Sequence, residues 1–330
     1  MPDVIYPRLF LEVIPEELKQ NRPDIKKLLN GKHNSHELKS HFGKLISSVY
    51  EYNPNSNIGL EFGSYLQPPT LCDLSQAIMS SNNLNSAFGV IEKAFHTHDA
   101  SYYPSIFLDD GLFSLSLTFP FKDTVSVYQK RFCVETAYSF IVNMIRHSID
   151  PGFTPLRVSC NFPKPAYAKE YPEIFGHNIV FNAPINLIEI DEACLFKQLD
   201  TSNPTVNKMY LRKSIEDWQT NRDQVDFEQM ATTFMLKHHP HAFSCQSLAN
   251  LMNLSVRGLQ KKLSKHDVTF SQVTNRARKT LTEIYLLQEK RSINWTADKL
   301  GFQSRSGFAR FFKIEFDQTP AEFIREHVEP

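Results

Sequence analysis

Ala297-Asp-Lys-Leu-Gly-Phe-Gln-Ser-Arg-Ser-Gly-Phe-Ala-Arg-Phe-Phe-Lys313 decides how the rest of this chain is read. A short helix carries Trp295, Ala297 and Leu300, and its small alanine suits a close helix crossing. Gly301 then supplies the left-handed conformation that ends a helix, and Ser304 sits where an N-cap begins the next. Phe308 and Phe312, four and eight positions past that serine, hold the second helix on a core and turn its other face outward. The pattern predicts a helix-turn-helix.

The same pattern occurs upstream, in Leu248-Ala-Asn-Leu-Met-Asn-Leu-Ser-Val-Arg-Gly-Leu-Gln-Lys-Lys-Leu263. Ser255 and Ser304, Leu259 and Phe308, and Leu263 and Phe312 are each 49 residues apart, whereas Ala249 and Ala297 differ by 48, so one turn is a residue longer. Asn253 takes the helix-ending place of Gly301. The outward faces carry Arg257, Gln260 and Lys261 in the first copy and Arg305, Ser306 and Arg310 in the second. Arginine, glutamine and lysine pair with purine edges and phosphates in a major groove, which points both faces at double-stranded DNA.

Charge supports that partner. The chain has 36 Lys and Arg against 36 Asp and Glu, but residues 229–330 hold 15 against 9, a balance of +6 that leaves −6 for the preceding residues. A basic segment beside an acidic one suggests a polyanion-binding module attached to a regulatory or catalytic body. At 330 residues two folded units are expected. Apolar residues at 41% exclude a disordered tail protein. No apolar run approaches a membrane span and the N-terminus lacks the regions of a signal peptide, so a cytoplasmic location is expected. Glycine-rich phosphate loops and a nucleophile elbow are absent, which lowers the standing of nucleotide-dependent and hydrolytic enzymes. The five cysteines form no Cys-x-x-Cys pair, and reduced thiols are expected.

Before the basic segment, helix and strand signals alternate. Helices are predicted over 36–50 and 131–147, a hairpin over 106–119 around Asp109-Asp-Gly111, and short strands over 156–160, 179–181 and 185–190. This body reads as α+β, followed by an all-α tandem helix-turn-helix domain. A connecting helix is expected over 204–218, with the boundary near 222, dividing the chain into 1–222 and 223–330. Twelve aromatic residues fall within the 53 from Phe88 to Phe140, against 40 in the whole chain. They fit a large core, or a pocket for a small organic effector lined by Tyr102, Tyr103, Phe107, Phe113 and Phe132.

The two quoted runs, with Gln318-Thr-Pro-Ala-Glu-Phe-Ile-Arg325, resemble the DNA-binding domain of the AraC/XylS family of bacterial transcription regulators. The body is more loosely similar to the effector domain of that family's ornithine- and arginine-responsive subset, through Phe42-Gly-Lys-Leu, Gly59-Leu-Glu-Phe-Gly63 and Asn182-Ala-Pro-Ile-Asn-Leu187. The resemblance implies promoter DNA as partner and the six outward residues above as its contacts. It also implies a linking helix over 271–288, roughly 27 Å long at 1.5 Å per residue, and activation more than repression. A small effector, a homodimer and contact with RNA polymerase are further implications, and no cofactor is expected. Asn253 departs from the family's usual glycine, and Gly258 and Gly307 lie inside the outer helices, each costing about 1 kcal/mol relative to alanine.

Two other readings stay open at this point. Histidines at His33, His36 and His41, at His96 and His98, and at His238, His239 and His241 have spacings that metal ligands can take, which would suit a metal-dependent enzyme with an accessory basic domain. A protein partner, in place of a small ligand, could control the N-terminal body. Amino acids, polyamines and fatty acids are the effector classes to screen.

Overall fold

The computed structural model describes residues 10, 13–21, 35–66, 73–94, 103–109, 111–119, 125–221, 227–239 and 243–327. Helices α1 (Glu16–Asn21), α2 (Ser35–Tyr52), α3 (Ile58–Tyr65), α4 (Asp73–Met79) and α5 (Leu84–Ala94) precede a five-stranded sheet. Its strands are β1 (Tyr103–Asp109), β2 (Leu112–Thr118), β3 (Arg157–Ser159), β4 (Ile179–Val180) and β5 (Leu187–Asp191), in the order β1-β2-β5-β3-β4. All neighbours are antiparallel except β3 and β4. Long helix α6 (Val127–Ser148) lies between β2 and β3 in sequence, and short helices α7 (Tyr171–Phe175) and α8 (Glu192–Leu195) flank the last strands. Helix α9 (Pro204–Asn221) follows and packs on α4. The body is α+β, and residues 222–226, where the sequence places the domain boundary, lie outside those described.

Helix α6 organises this body. Ser126 and Gln129 close a reciprocal capping box at its start, satisfying two backbone donors that the first turn would leave open. One of its faces buries Val134, Tyr138, Ile141, Val142 and Ile145 in the same core as Phe113, Leu115 and Leu117 of β2 and Val158 and Ile188 of the inner strands. The other buries Phe132 in a second cluster with Phe10, Val49, Tyr50 and Phe62. Strand β5 is shorter than its apolar run because Ile185 leaves the sheet and packs against the C-terminal core.

Helices α3 and α6 meet at close range, and glycine makes this approach feasible. A Cβ on Gly63 would lie 2.5 Å from the Thr136 carbonyl oxygen and 2.7 Å from Ser139 Cβ. On α5, a Cβ at Gly89 would meet nothing within 4 Å. The same substitution therefore has opposite signs at the two sites. Gly63→Ala should destabilise by about 1–3 kcal/mol through overpacking against backbone. Gly89→Ala should stabilise by up to about 1 kcal/mol through helix propensity. Thermal melting of both variants checks this, and a Gly63→Ala protein melting at or above the wild type would show that α3 and α6 are not in this contact.

The C-terminal part is entirely helical among the described residues. Its elements are α10 (Phe227–His238), α11 (Cys245–Leu251), α12 (Val256–Lys265), α13 (Phe270–Glu283), α14 (Ile293–Lys299), α15 (Arg305–Phe316) and α16 (Pro320–His327). Helix α13 continues into a π-turn over Ile284–Gln288, so the linking helix is not α-helical throughout. One core joins both modules, with Leu248, Leu259 and Leu263 from the first, Ala277 and Leu281 from the link, and Leu300, Phe308 and Phe312 from the second. Among the described residues no helix is long and apolar enough to cross a membrane.

Candidate nucleic-acid interface

The two helix-turn-helix units are built by the same backbone device. In the first, Asn253 adopts φ 55°, its N–H donates to the Asn250 carbonyl at 3.0 Å and the Leu254 N–H reaches back to Ala249 at 2.8 Å. In the second, Gly301 adopts φ 73°, with matching bonds to Asp298 at 3.0 Å and from Phe302 to Ala297 at 3.1 Å. These paired bonds are the Schellman closure of a helix end. Asn253 thus performs the glycine's task, as asparagine is able to in the left-handed region. Ala249 and Ala297 are buried at the crossing. The extra residue of the second turn is Gln303, which stands between the closure and the cap.

Both outer helices start as the serines predict. Ser255 Oγ accepts from the Gly258 N–H at 3.0 Å, and Ser304 Oγ from the Gly307 N–H at 3.1 Å. The two glycines that weaken these helices sit at the capped positions. A Cβ on them would come within 3.1 Å of Ser255 Oγ and 3.2 Å of Ser304 Oγ, so each helix combines a strong cap with a loose first turn.

Leu259 and Leu263 of α12 and Phe308, Phe311 and Phe312 of α15 are buried, and Arg257, Gln260, Lys261, Arg305, Ser306 and Arg310 are all exposed on the opposite faces. Among the described residues, none of Arg257, Lys261, Arg305 and Arg310 makes an ion pair. Ser306 is the exception to this freedom, since its hydroxyl lies 3.2 Å from that of Ser304.

Other basic residues of this segment are structural, which the charge balance could not reveal. Arg276 pairs with Glu228 at 2.5 Å, tying α13 to α10. Arg278 donates to the Leu300 carbonyl at 3.2 Å and lies over the Phe302 and Phe243 rings at 4.4 and 5.0 Å. Lys279 bonds the Glu315 carbonyl at the end of α15, and Lys262 lies 5.3 Å over Phe227. Arg278 and Lys279 therefore clamp the second module to the link, and Arg276 ties the link to α10. No local motif marks them because their partners are distant in sequence.

Residues 248–326 match the helix-turn-helix family model, and residues 40–199 match the model described as the arabinose-binding domain of AraC transcription regulator. The chain belongs to the AraC family of transcription regulators. Among relatives of this AraC-family chain, the ornithine utilization regulator of Pseudomonas aeruginosa is 25% identical over 284 residues, covering 86% of this chain and 82% of that one. The transcriptional activator AggR of Escherichia coli is 25% identical over 154 residues, covering 42% of this chain and 57% of the other. The solved structure of the transcriptional regulator CdpR from Pseudomonas aeruginosa aligns with 84% of this chain and 91% of its own, at 15% identity and a TM-score of 0.42.

Of the aromatic residues expected to line an effector pocket, the structure describes the side chains of Phe113 and Phe132, and these two lie apart. Tyr102 and the side chains of Tyr103 and Phe107 lie outside the described residues. Phe113 stacks on Phe88 with ring centroids 4.6 Å apart in the sheet core, whereas Phe132 packs edge-on against Phe10 at 5.1 Å in the other cluster. These two rings belong to separate cores on opposite faces of α6.

The AraC-type body instead contains a buried polar cluster that the sequence did not flag. Glu135 of α6 is 1% exposed, and its Oε1 accepts from the Tyr167 and Tyr171 hydroxyls at 2.6 and 2.5 Å. Its Oε2 has no hydrogen-bond partner. That oxygen faces Gly59, where a Cβ would collide with it. Arg131, one turn earlier, lies 4.5 Å over the Tyr50 ring and 5.6 Å over that of Tyr167, and donates to the Pro54 carbonyl at 2.9 Å. Burial pushes the Glu135 carboxyl up to about 7, although the two tyrosine hydroxyls and Arg131 favour its charged form.

Proposed function

We propose that the protein activates transcription by laying α12 and α15 in successive major-groove segments of promoter DNA, under the control of a small organic effector and the body before residue 222. The observation that carries this reading is the pair of capped helices in matching register, each presenting unpaired cations on the face turned away from the core. Arg257 and Arg305 are the base readers, Gln260 and Arg310 stand beside them, and Lys261 holds phosphate. Ser306 contributes through the cap. A homodimer contacting RNA polymerase is the assembly proposed for activation.

The test separates readers from anchors. Arg257→Ala and Arg305→Ala should each weaken operator binding by about 1–3 kcal/mol and relax sequence preference at one half-site. Lys261→Ala should weaken binding to all sequences alike and lower the salt slope by about one unit. Titrations of operator and random DNA at several salt concentrations distinguish the two. If both arginine variants lose equal affinity for operator and random DNA, these side chains are not base readers.

A further inference from the structure

Between the α+β body and the linking helix lies a cleft of about 280 Å³. Leu117 of β2 and Ile185 wall it on one side, and Ile284 and Leu287 of the π-turn with Phe316 and Phe323 wall the other. Ligand sites are mostly apolar concavities of roughly 300–1,000 Å³ with a few placed polar groups, and they favour domain interfaces. This cleft lies just below that size range.

The placed polar group is the Gln288 amide, at the end of the π-turn. Both its nitrogen and its oxygen are buried, and neither has a hydrogen-bond partner. Two other amides beside the cleft, Asn161 and Asn186, are used internally. Asn186 Oδ1 accepts from the Asn161 N–H at 2.9 Å, and the Asn161 side chain donates to the Pro184 carbonyl at 3.2 Å. A buried donor and acceptor left open together are costly, and π-turns occur often at functional sites. We propose that the cleft binds a small neutral molecule with an apolar body and a carboxamide or lactam edge, which pairs with both atoms of the Gln288 amide. Such a molecule touches the sheet and the linking helix at once. It therefore binds only while the body is docked on the link, and by population shift it favours that docked state. The regulatory half of this inference rests on the effector-controlled reading above; the binding half does not.

Hexanamide and ε-caprolactam are the probes, added to the full-length protein while the Gln288 side-chain amide is followed by nuclear magnetic resonance. Both should move that signal saturably, and in titration calorimetry, which also reads the variant lacking that amide, Gln288→Leu should weaken binding at least tenfold. Without probe, Gln288→Leu should melt no lower than the wild type, because it removes an unpartnered amide; Gln288→Met serves if the leucine variant does not fold. The proposal fails if neither probe moves the signal, if Gln288→Leu binds them equally well, or if hexanoate or hexylamine binds more tightly than hexanamide. Operator titration separates the two readings. Binding at Gln288 without a change in operator affinity defeats effector control from this cleft and leaves the site. An effector response that survives Gln288→Leu defeats the site and leaves effector control.

Discussion

Phe312→Ala should remove about 3–5 kcal/mol of stability from the C-terminal unit, the range expected for truncating a fully buried phenylalanine. The ring is fully enclosed, with Phe316 stacked at 4.3 Å, Phe308 at 5.6 Å and Phe323 at 5.4 Å. These three rings are rigid, and Phe316 and Phe323 also pack on each other, so most of the lost contact appears as cavity. Trp295 packs edge-on against Tyr285 at 5.1 Å and reports on this region by fluorescence. Urea unfolding should therefore show an early tryptophan transition, and footprinting should lose the half-site read by α15 before that of α12. A loss below about 1 kcal/mol would mean that the aromatic stack does not hold the second module.

The second large effect depends on pH. The folded-state carboxyl of Glu135 is pushed up to about 7 by burial, above the ordinary value of 4.5 that it regains on unfolding. Below about pH 4.5 both states hold the proton and the group is neutral in the balance. Between 4.5 and 7 the unfolded chain releases a proton that the folded chain keeps, so stability falls as pH rises, levelling off above 7. The total is about 3 kcal/mol, from 1.36 kcal/mol per pKa unit. Glu135→Gln keeps an acceptor for Tyr167 and Tyr171 and removes the titration. Urea midpoints from pH 5 to 8 should converge between the two proteins at the acid end and favour the variant at the alkaline end. Parallel curves for the two would show that Glu135 is not held protonated by burial.

The parts legible in the sequence were those whose signals are local. Gly301, Ser304, Phe308 and Phe312 act within a few residues of one another, and each has the role that its chemistry predicts. Asn253 and Ser255 repeat this one module upstream. The hairpin of β1 and β2 was legible for the same reason, since its partners adjoin the turn. Pairing of β3 with β4 was not, because a two-residue contact between Val158 and Ile179 leaves no periodicity to read. Ring direction was also hidden. Phe113 and Phe132 are similar in composition plots, yet they serve different cores because the pleat of β2 and the faces of α6 aim them apart. Glu135 resembled any helix-surface acid until Tyr167 and Tyr171, 32 and 36 residues further on, were brought to it by the fold. Gly59 and Gly63 were the one visible clue, a spacing of four that marks a face pressed against another helix.

The π-turn at Ile284–Gln288 has a consequence for operator architecture. A π-turn holds one more residue than the α-turn it replaces, and each α-helical residue advances a helix by about 100°. Removing one residue there would let the link close as an uninterrupted α-helix with nearly the same total rotation, whereas removing one from its α-helical part, Phe270–Glu283, would swing everything beyond it by nearly a third of a revolution. On B-form DNA, at about 10–10.5 base pairs per turn, that rotation equals a phase error of about three base pairs between the two half-sites. Insertions and deletions in the α-helical part of this link are therefore not neutral length changes, whereas the loss of one residue at the π-turn nearly is. The link acts as a vernier, and promoters served by this protein must keep their half-site spacing in step with it.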